Sequence, residues 1–165
     1  TRDQAKTFIY ALIYGAGPDK IGQIVGGGKT EGKKIINKFM SNMPSLKTLR
    51  DKVDRVAKRG QIRGIDGRLL KVRQFHASMN LLLQGAGAII CKEWLRQITL
   101  KVQQGFDYSL VASIHDEYQF EVRRDQAERF GDLTQQAMKL AEKELDVQCP
   151  LDSEYKIGKN WYETH

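Results

Sequence analysis

The sequence predicts an α+β fold in which helices predominate and two β-hairpins interrupt them. Three observations lead there. Several long stretches carry apolar residues at the i, i+3, i+4, i+7 spacing of an amphipathic helix. Two shorter stretches are rich in β-branched and aromatic residues and flank polar turn sequences. The 165 residues, 41% hydrophobic, suit one globular domain or a large piece of one.

Residues 2–14 read as the first helix. Ala5, Phe8, Ile9, Leu12 and Ile13 form its apolar stripe, and no capping residue is evident ahead of it. Arg2, Lys6, Tyr10 and Tyr14 recur every fourth residue, so they form one inclined ridge: two cations, then two rings. Such a ridge can hold a phosphate chain at one end and stack a base or sugar at the other. The competing reading is an ordinary amphipathic helix whose polar face carries these residue types. Gly15-Ala16-Gly17-Pro18 stops the helix. The chain opens in this helical pattern without a Met, which suggests a piece of something longer.

Residues 19–25 make a short helical turn, and Gly26-Gly27-Gly28-Lys29-Thr30 follows. The run resembles a phosphate-binding P-loop, but that motif needs four residues between its glycines, and five separate Gly22 from Gly28. It must also follow a buried strand, whereas the preceding segment is helical. A flexible glycine joint before helix 29–41 is the better account. That helix carries Ile35, Ile36, Phe39 and Met40 on one face and lysines on the other. Ser41 or Asn42 should cap a helix over 44–58, with Leu46, Leu49, Val53 and Val56 as a narrow seam and a basic remainder.

Residues 61–73 form a cationic hairpin, with Asp66-Gly67 as a two-residue turn between strands 62–65 and 68–72. Residues 77–104 are the longest helix, buried along Met79, Leu82, Leu83, Ala86, Ile89, Ile90, Trp94 and Ile98. On another face His76, Asn80 and Gln84 recur at four-residue steps. Asn and Gln offer both donors and acceptors, which suits base edges, though on spacing alone ordinary polar surface residues are the better account. Gly85 and Gly87 permit close packing of a neighbour. The second hairpin spans 108–123. A helix over 125–144, capped by Asp125, places Phe130, Leu133, Ala137, Leu140 and Ala141 inward. Pro150 then breaks the chain into an extended stretch, 151–155, before the terminal Gly158-Lys159-Asn160-Trp161.

The tip of the second hairpin, His115-Asp116-Glu117, sets two carboxylates beside a histidine. Like charges this close raise each other's pKa and weaken the fold unless a cation sits there. A solvated turn is the alternative, since Asp is common in turns. Charge is unevenly distributed along the chain. Residues 1–75 hold 17 Lys and Arg against 6 Asp and Glu, and residues 76–165 hold 10 against 14. A basic half points to a polyanion partner, and an acidic half to carboxylates with a separate task. Cys91 and Cys149 show no CxxC spacing and read as reduced thiols in a cytosolic setting, Cys91 within the core. No signal peptide and no apolar run of about 18 residues appears, so neither secretion nor a membrane span is expected.

Arg2-x3-Lys6-x3-Tyr10-x3-Tyr14-Gly15 resembles motif B of the family A DNA polymerases, and His115-Asp116-Glu117 between two strands resembles their motif C. The two lie about 100 residues apart, with Asn80 and Gln84 on a helix between them. The runs KTFIYALIYGAG, KIGQIVGGGK, LLLQGAGAIICK, HDEYQ and GKNW are most similar to those of the replicative enzymes of short-tailed T-odd phages. The resemblance covers essentially the whole chain. It implies a fingers subdomain over 1–60 and a partial palm over 61–165.

It also implies roles. Arg2 and Lys6 would bind the phosphates of the incoming dNTP, with Lys6 also the proton donor to leaving pyrophosphate. Tyr10 would line the sugar pocket, where a tyrosine hydroxyl lets dideoxynucleotides be accepted, and Tyr14 would stack near the templating position. Asn80 and Gln84 would read the minor-groove side of primer–template DNA. His76, where many bacterial relatives carry arginine, would touch DNA, and His115 would lie near the primer terminus. Asp116 would ligate a catalytic Mg²⁺ pair with Glu117 supporting. The family's second metal-binding aspartate, in motif A, lies N-terminal to motif B, where this chain begins. The expected partners are therefore primer–template DNA, dNTPs and the N-terminal remainder of the polymerase, with no membrane, in the cytoplasm of a phage-infected bacterial cell. A non-catalytic DNA-binding module is the rival function. A palm sheet short of strands leaves open edges, so self-association is also expected.

Overall fold

The computed structural model describes residues 1–102 and 105–165, so the end of the helix expected to reach 104 lies outside the described residues. The chain forms two compact units, Thr1–Gly85 and Ala86–His165. Each holds one two-stranded antiparallel sheet among its helices, the α+β architecture expected.

In the first unit, helix α1 (Arg2–Ile13) begins at Thr1, whose hydroxyl accepts from the Gln4 amide while the Gln4 side chain reaches back. This capping box, Thr1-x-x-Gln4, supplies the cap that was not evident ahead of the helix. At the other end Gly15, at φ +83°, and Ala16 donate to Leu12 and Ala11 and close a Schellman motif. Helix α2 (Pro18–Ile24) ends the same way, with Gly26 at φ +79° and Gly27 donating to Gln23 and Gly22. Gly28 then caps α3 (Lys29–Asn42). The glycine run is therefore an ordered corner between two helices, not a flexible joint, and no strand precedes it. A Cβ on Gly32 would lie 2.0 Å from the Pro18 carbonyl oxygen, so α2 and α3 cross at backbone contact. Phe8, Leu12 and Ile21 form the core, with Ile35, Ile36, Phe39 and Met40 packed around them.

Helix α4 (Pro44–Ala57) follows after Met43, and no side chain caps it. Ser41 and Asn42, expected as caps, instead belong to α3, and Ser41 bonds back to the Lys38 carbonyl. Val53 and Ala57 are buried, while Leu49 and Val56 of the expected seam are exposed. Strands β1 (Gln61–Arg63) and β2 (Leu69–Lys71) pair in the register Ile62 opposite Leu70. Their turn differs from expectation. The Gly64 amide donates to Arg68, Gly67 donates to Gly64, and Gly67 sits at φ +82°. That is a three-residue loop closed by a left-handed glycine, with Asp66 pairing to Arg68.

Helix α5 (Ser78–Val102), preceded by a 3₁₀ turn at Phe75–Ala77, begins in the first unit and continues through the second. A Cβ at Gly85 would meet a Leu70 methyl at 3.1 Å, but at Gly87 it would meet nothing, so only Gly85 marks close packing. In the second unit, β3 (Tyr108–Ile114) and β4 (Glu117–Val122) form the second hairpin, with a bulge between Leu110 and Ala112. Alternation along β4 sorts Tyr118, Phe120 and Val122 onto one face and Glu117, Gln119 and Glu121 onto the other. The aromatic face packs with Trp94, Ile98 and Phe130 in the core of this unit. Leu110 and Val111 stay exposed on β3.

A 3₁₀ turn at Arg124–Gln126 leads into α6 (Ala127–Glu144). Asp125 does not cap α6; its carboxylate is drawn to the Arg123 guanidinium at 2.6 Å, which also holds its pKa below the usual range. Residues 151–155 then run back along α6. The Leu151 amide donates to Glu142, Gln135 donates to the Ser153 carbonyl, and the Tyr155 hydroxyl donates to Asp132. Gly131 leaves the space that the Tyr155 ring occupies. A short helix, α7 (Trp161–Thr164), ends the chain. No helix among the described residues is long and apolar enough to cross a membrane. Both cysteines are free thiols; Cys91 is half-buried rather than in the core, and Cys149 is exposed.

Two glycines of α2–α5 separate packing from propensity. Gly32→Ala should lower unfolding stability in urea by about 1–3 kcal/mol or more, because the new methyl group meets backbone. Gly87→Ala, in open helical space, should raise it by up to about 1 kcal/mol. Equal effects of one sign would contradict the crossing described.

Candidate functional site

In the first unit the α1 ridge forms as its spacing requires. Arg2 and Lys6 are exposed, and neither joins an ion pair among the described residues. Tyr10 and Tyr14 stack with centroids 6.4 Å apart and planes 22° apart, each ring about half exposed. Tyr14 caps the C-terminus of α1, and Gln84 Nε2 donates to its hydroxyl across 3.3 Å. The next residue fixes the geometry. A Cβ on Gly15 would stand 2.1 Å from the His76 carbonyl oxygen, so only glycine lets the end of α1 rest against the start of α5. His76 is exposed in the 3₁₀ turn, Gln84 is exposed on α5, and half-buried Asn80 lies between them in sequence. Asn80 Oδ1 is buried without a hydrogen-bond partner, an acceptor left open on this face. The structure thus brings Tyr14, His76 and Gln84 together around Gly15. Behind α1 lies an apolar cavity of about 340 Å³ lined by Ile9, Ile13, Met40, Phe75 and Met79, which the sequence did not reveal. It explains why Ile9, expected in the core, is exposed.

In the second unit the polar triplet divides. His115 and Asp116 form the two-residue turn, with His115 at φ +53°. Glu117 is already in strand, opposite Ile114. Asp116 is exposed, and among the described residues no hydrogen bond or ion pair engages its carboxylate. Glu117 is instead surrounded by donors. The Gln119 side chain donates to Oε1, and His165 Nδ1 lies 3.2 Å from Oε2. The Gln119 bond, followed by His165 and the Trp161 side chain, holds the Glu117 carboxyl below its ordinary pKa. The expectation that the adjacent carboxylates would raise each other's pKa does not hold for Glu117, because directed donors outweigh the cost of desolvation.

Among the described residues no group of three or more His, Cys, Asp and Glu side chains is placed to hold a metal ion. The donors at the tip nevertheless fit Mg²⁺, a hard cation usually bound through one or two carboxylates together with substrate phosphates.

With this geometry in view, the comparisons are unambiguous. The DNA polymerase family A model matches residues 1–163, and the chain belongs to that family. It is 40% identical to the DNA-directed DNA polymerase of Enterobacteria phage T3 and 39% identical to that of Escherichia phage T7, each across the whole chain. It is 28% identical to DNA polymerase I of Aquifex aeolicus over 97% of its length. The chain spans 27% of the length of the two phage polymerases. The polymerase domain of Pol1 from M. smegmatis, solved as a complex with DNA primer-template and dNTP, superposes on 93% of the chain with a TM-score of 0.78 at 22% identity. It covers 28% of that domain, and the likeness carries the fold.

Sequence reasoning missed the partners of Glu117. One signal was present: Gln119, two residues on, must share a strand face with Glu117. The other partners come from a tail whose path no periodicity encodes. Gly15 yields a test within the site. Gly15→Ala should lower the thermal midpoint by an amount equivalent to about 1–2 kcal/mol from the left-handed backbone alone. Gly17→Ala, at φ −77° in open space, should stay within about 0.5 kcal/mol. Matching melts for both variants would remove Gly15 from its structural role.

Proposed function

We propose that this chain supplies the fingers and part of the palm of a template-directed DNA polymerase that adds dNTPs to a primer 3′-hydroxyl, with 1–60 as fingers and 61–165 as partial palm. The observation that carries the reading is the Asp116 carboxylate, unengaged among the described residues, at a hairpin tip whose strands rest on an aromatic core. Family membership and the primer-template and dNTP in the mycobacterial complex support it.

Phosphoryl transfer asks mainly for positioning and neutralisation of charge. Arg2 and Lys6, one turn apart on α1 and in no ion pair among the described residues, bind the triphosphate of the incoming nucleotide, and Lys6 donates a proton to the leaving pyrophosphate. Tyr10 bounds the sugar pocket and Tyr14 stacks by the templating position, its hydroxyl tied to Gln84. Asn80 and Gln84 hydrogen-bond minor-groove acceptors common to all correct pairs, His76 contacts the DNA beside them, and His115 sits at the primer terminus. Asp116 would hold Mg²⁺ with support from Glu117, and a segment N-terminal to motif B would contribute a second aspartate. When bound, a pair of Mg²⁺ ions activates the 3′-hydroxyl and neutralises the leaving group. The basic residues of 1–75 attract the DNA backbone.

Primer extension tests the reading. The 165-residue chain alone, with Mg²⁺, should extend nothing above background. Addition of a segment bearing motif A should restore synthesis, and Asp116→Asn should abolish it again. Full extension by the chain alone would refute the need for that segment. Unimpaired synthesis by Asp116→Asn would leave only a non-catalytic DNA-binding role.

A further inference from the structure

The C-terminal tail ends on a residue of the candidate site. Residues 151–155 are fastened along α6 by Glu142, Gln135 and Asp132, and Lys139 adds an ion pair with Asp152 at 3.6 Å. Beyond them the chain turns into α7, whose start is built with care. Asn160 Oδ1 accepts from the Glu163 amide, and the Glu163 carboxylate accepts from the Lys159 amide and the Asn160 side chain. A Cβ on Gly158 would stand 2.6 Å from Glu163 Cβ, so the glycine lets the segment fold back on itself. The outcome is a four-residue helix whose last turn faces β4. Thr164 Oγ1 donates to Gln119 Oε1 across 3.1 Å, and His165 Nδ1 reaches Glu117 Oε2. The Trp161 ring stands edge-on to the His165 imidazole at 5.9 Å.

We propose that His165 is a positioning residue for motif C: with Gln119, itself steered by Thr164, it fixes the Glu117 carboxylate from both oxygens and leaves Asp116 as the carboxylate free for metal. The inference rests on the polymerase reading above. Two adjacent acids thereby take different duties. A carboxylate with donors on both oxygens is held away from competing with Asp116 for a cation. Outer partners of this kind typically change metal affinity or activity by about 10–100-fold when removed.

The test is single-turnover primer extension by the complete polymerase carrying this chain, with His165→Ala, His165→Asn, Gln119→Ala and Asp116→Asn in parallel. The Asn amide nitrogen occupies the place of imidazole Nδ1, two bonds from Cβ. His165→Ala and Gln119→Ala should each slow the maximal rate about tenfold with the dNTP concentration for half-maximal rate changed less than about twofold. His165→Asn should recover to within about threefold of the parent. Hydrogen exchange of the α6 amides in His165→Ala should match the parent, which separates loss of positioning from unfolding of the unit. Parental rates in His165→Ala, or equal slowing by Ala and Asn, would overturn the proposal while an inactive Asp116→Asn left the polymerase reading in place. Synthesis by Asp116→Asn at the parental rate would overturn that reading, and this proposal with it.

Discussion

The position of one hairpin depends on aromatic packing. Tyr118 lies 5.2 Å from Trp94, and Phe120 meets Phe130 at 5.1 Å in an edge-on contact that also touches Tyr108. The Tyr118 hydroxyl donates to the Cys91 carbonyl, and the Trp94 indole donates to the Thr134 carbonyl. Tyr118 and Trp94 are thus each fixed both by ring packing and by a directed bond. A two-stranded hairpin is marginal by itself in water. Seated on α5 and α6 it becomes a stiff support, and its two-residue tip inherits that stiffness.

The strand geometry then divides the acids. Asp116 belongs to the turn and Glu117 to the strand, one residue apart in sequence but under different constraints. The turn exposes Asp116 without a protein donor. The strand presents Glu117 and Gln119 on the face opposite the aromatic rings, where the end of the chain meets them. The first unit applies a comparable economy at Gly15. One missing Cβ closes α1, admits the His76 carbonyl and keeps the Tyr14 hydroxyl beside Gln84.

Much of this was legible in the residues. The stripe Phe8-x3-Leu12, the alternation from Tyr118 to Val122 and the four-residue ridge of α1 each follow from a helical or strand period, and each is present. The family resemblance, carried by short motifs along the whole chain, agrees with the family match over residues 1–163. What escaped was local or distant. Thr1, Gly26 and Gly67 act through caps and left-handed corners whose registry depends on one residue more or less. Asp125 does not cap α6 because Arg123, two residues earlier, competes for its carboxylate. The clamp on Glu117 joins residues nearly fifty positions apart, through a tail that has almost no regular structure to announce its course.

The central claim is that Asp116, and not its neighbour, carries the metal from this chain. Crystals of the complete polymerase with primer–template DNA, a matched dNTP and Mn²⁺ in place of Mg²⁺ would test it by anomalous scattering. The account predicts an anomalous peak in coordination distance of Asp116, with Glu117 still bonded to Gln119 and His165. A peak coordinated by Glu117 with Asp116 turned away, or manganese remote from both, would contradict it.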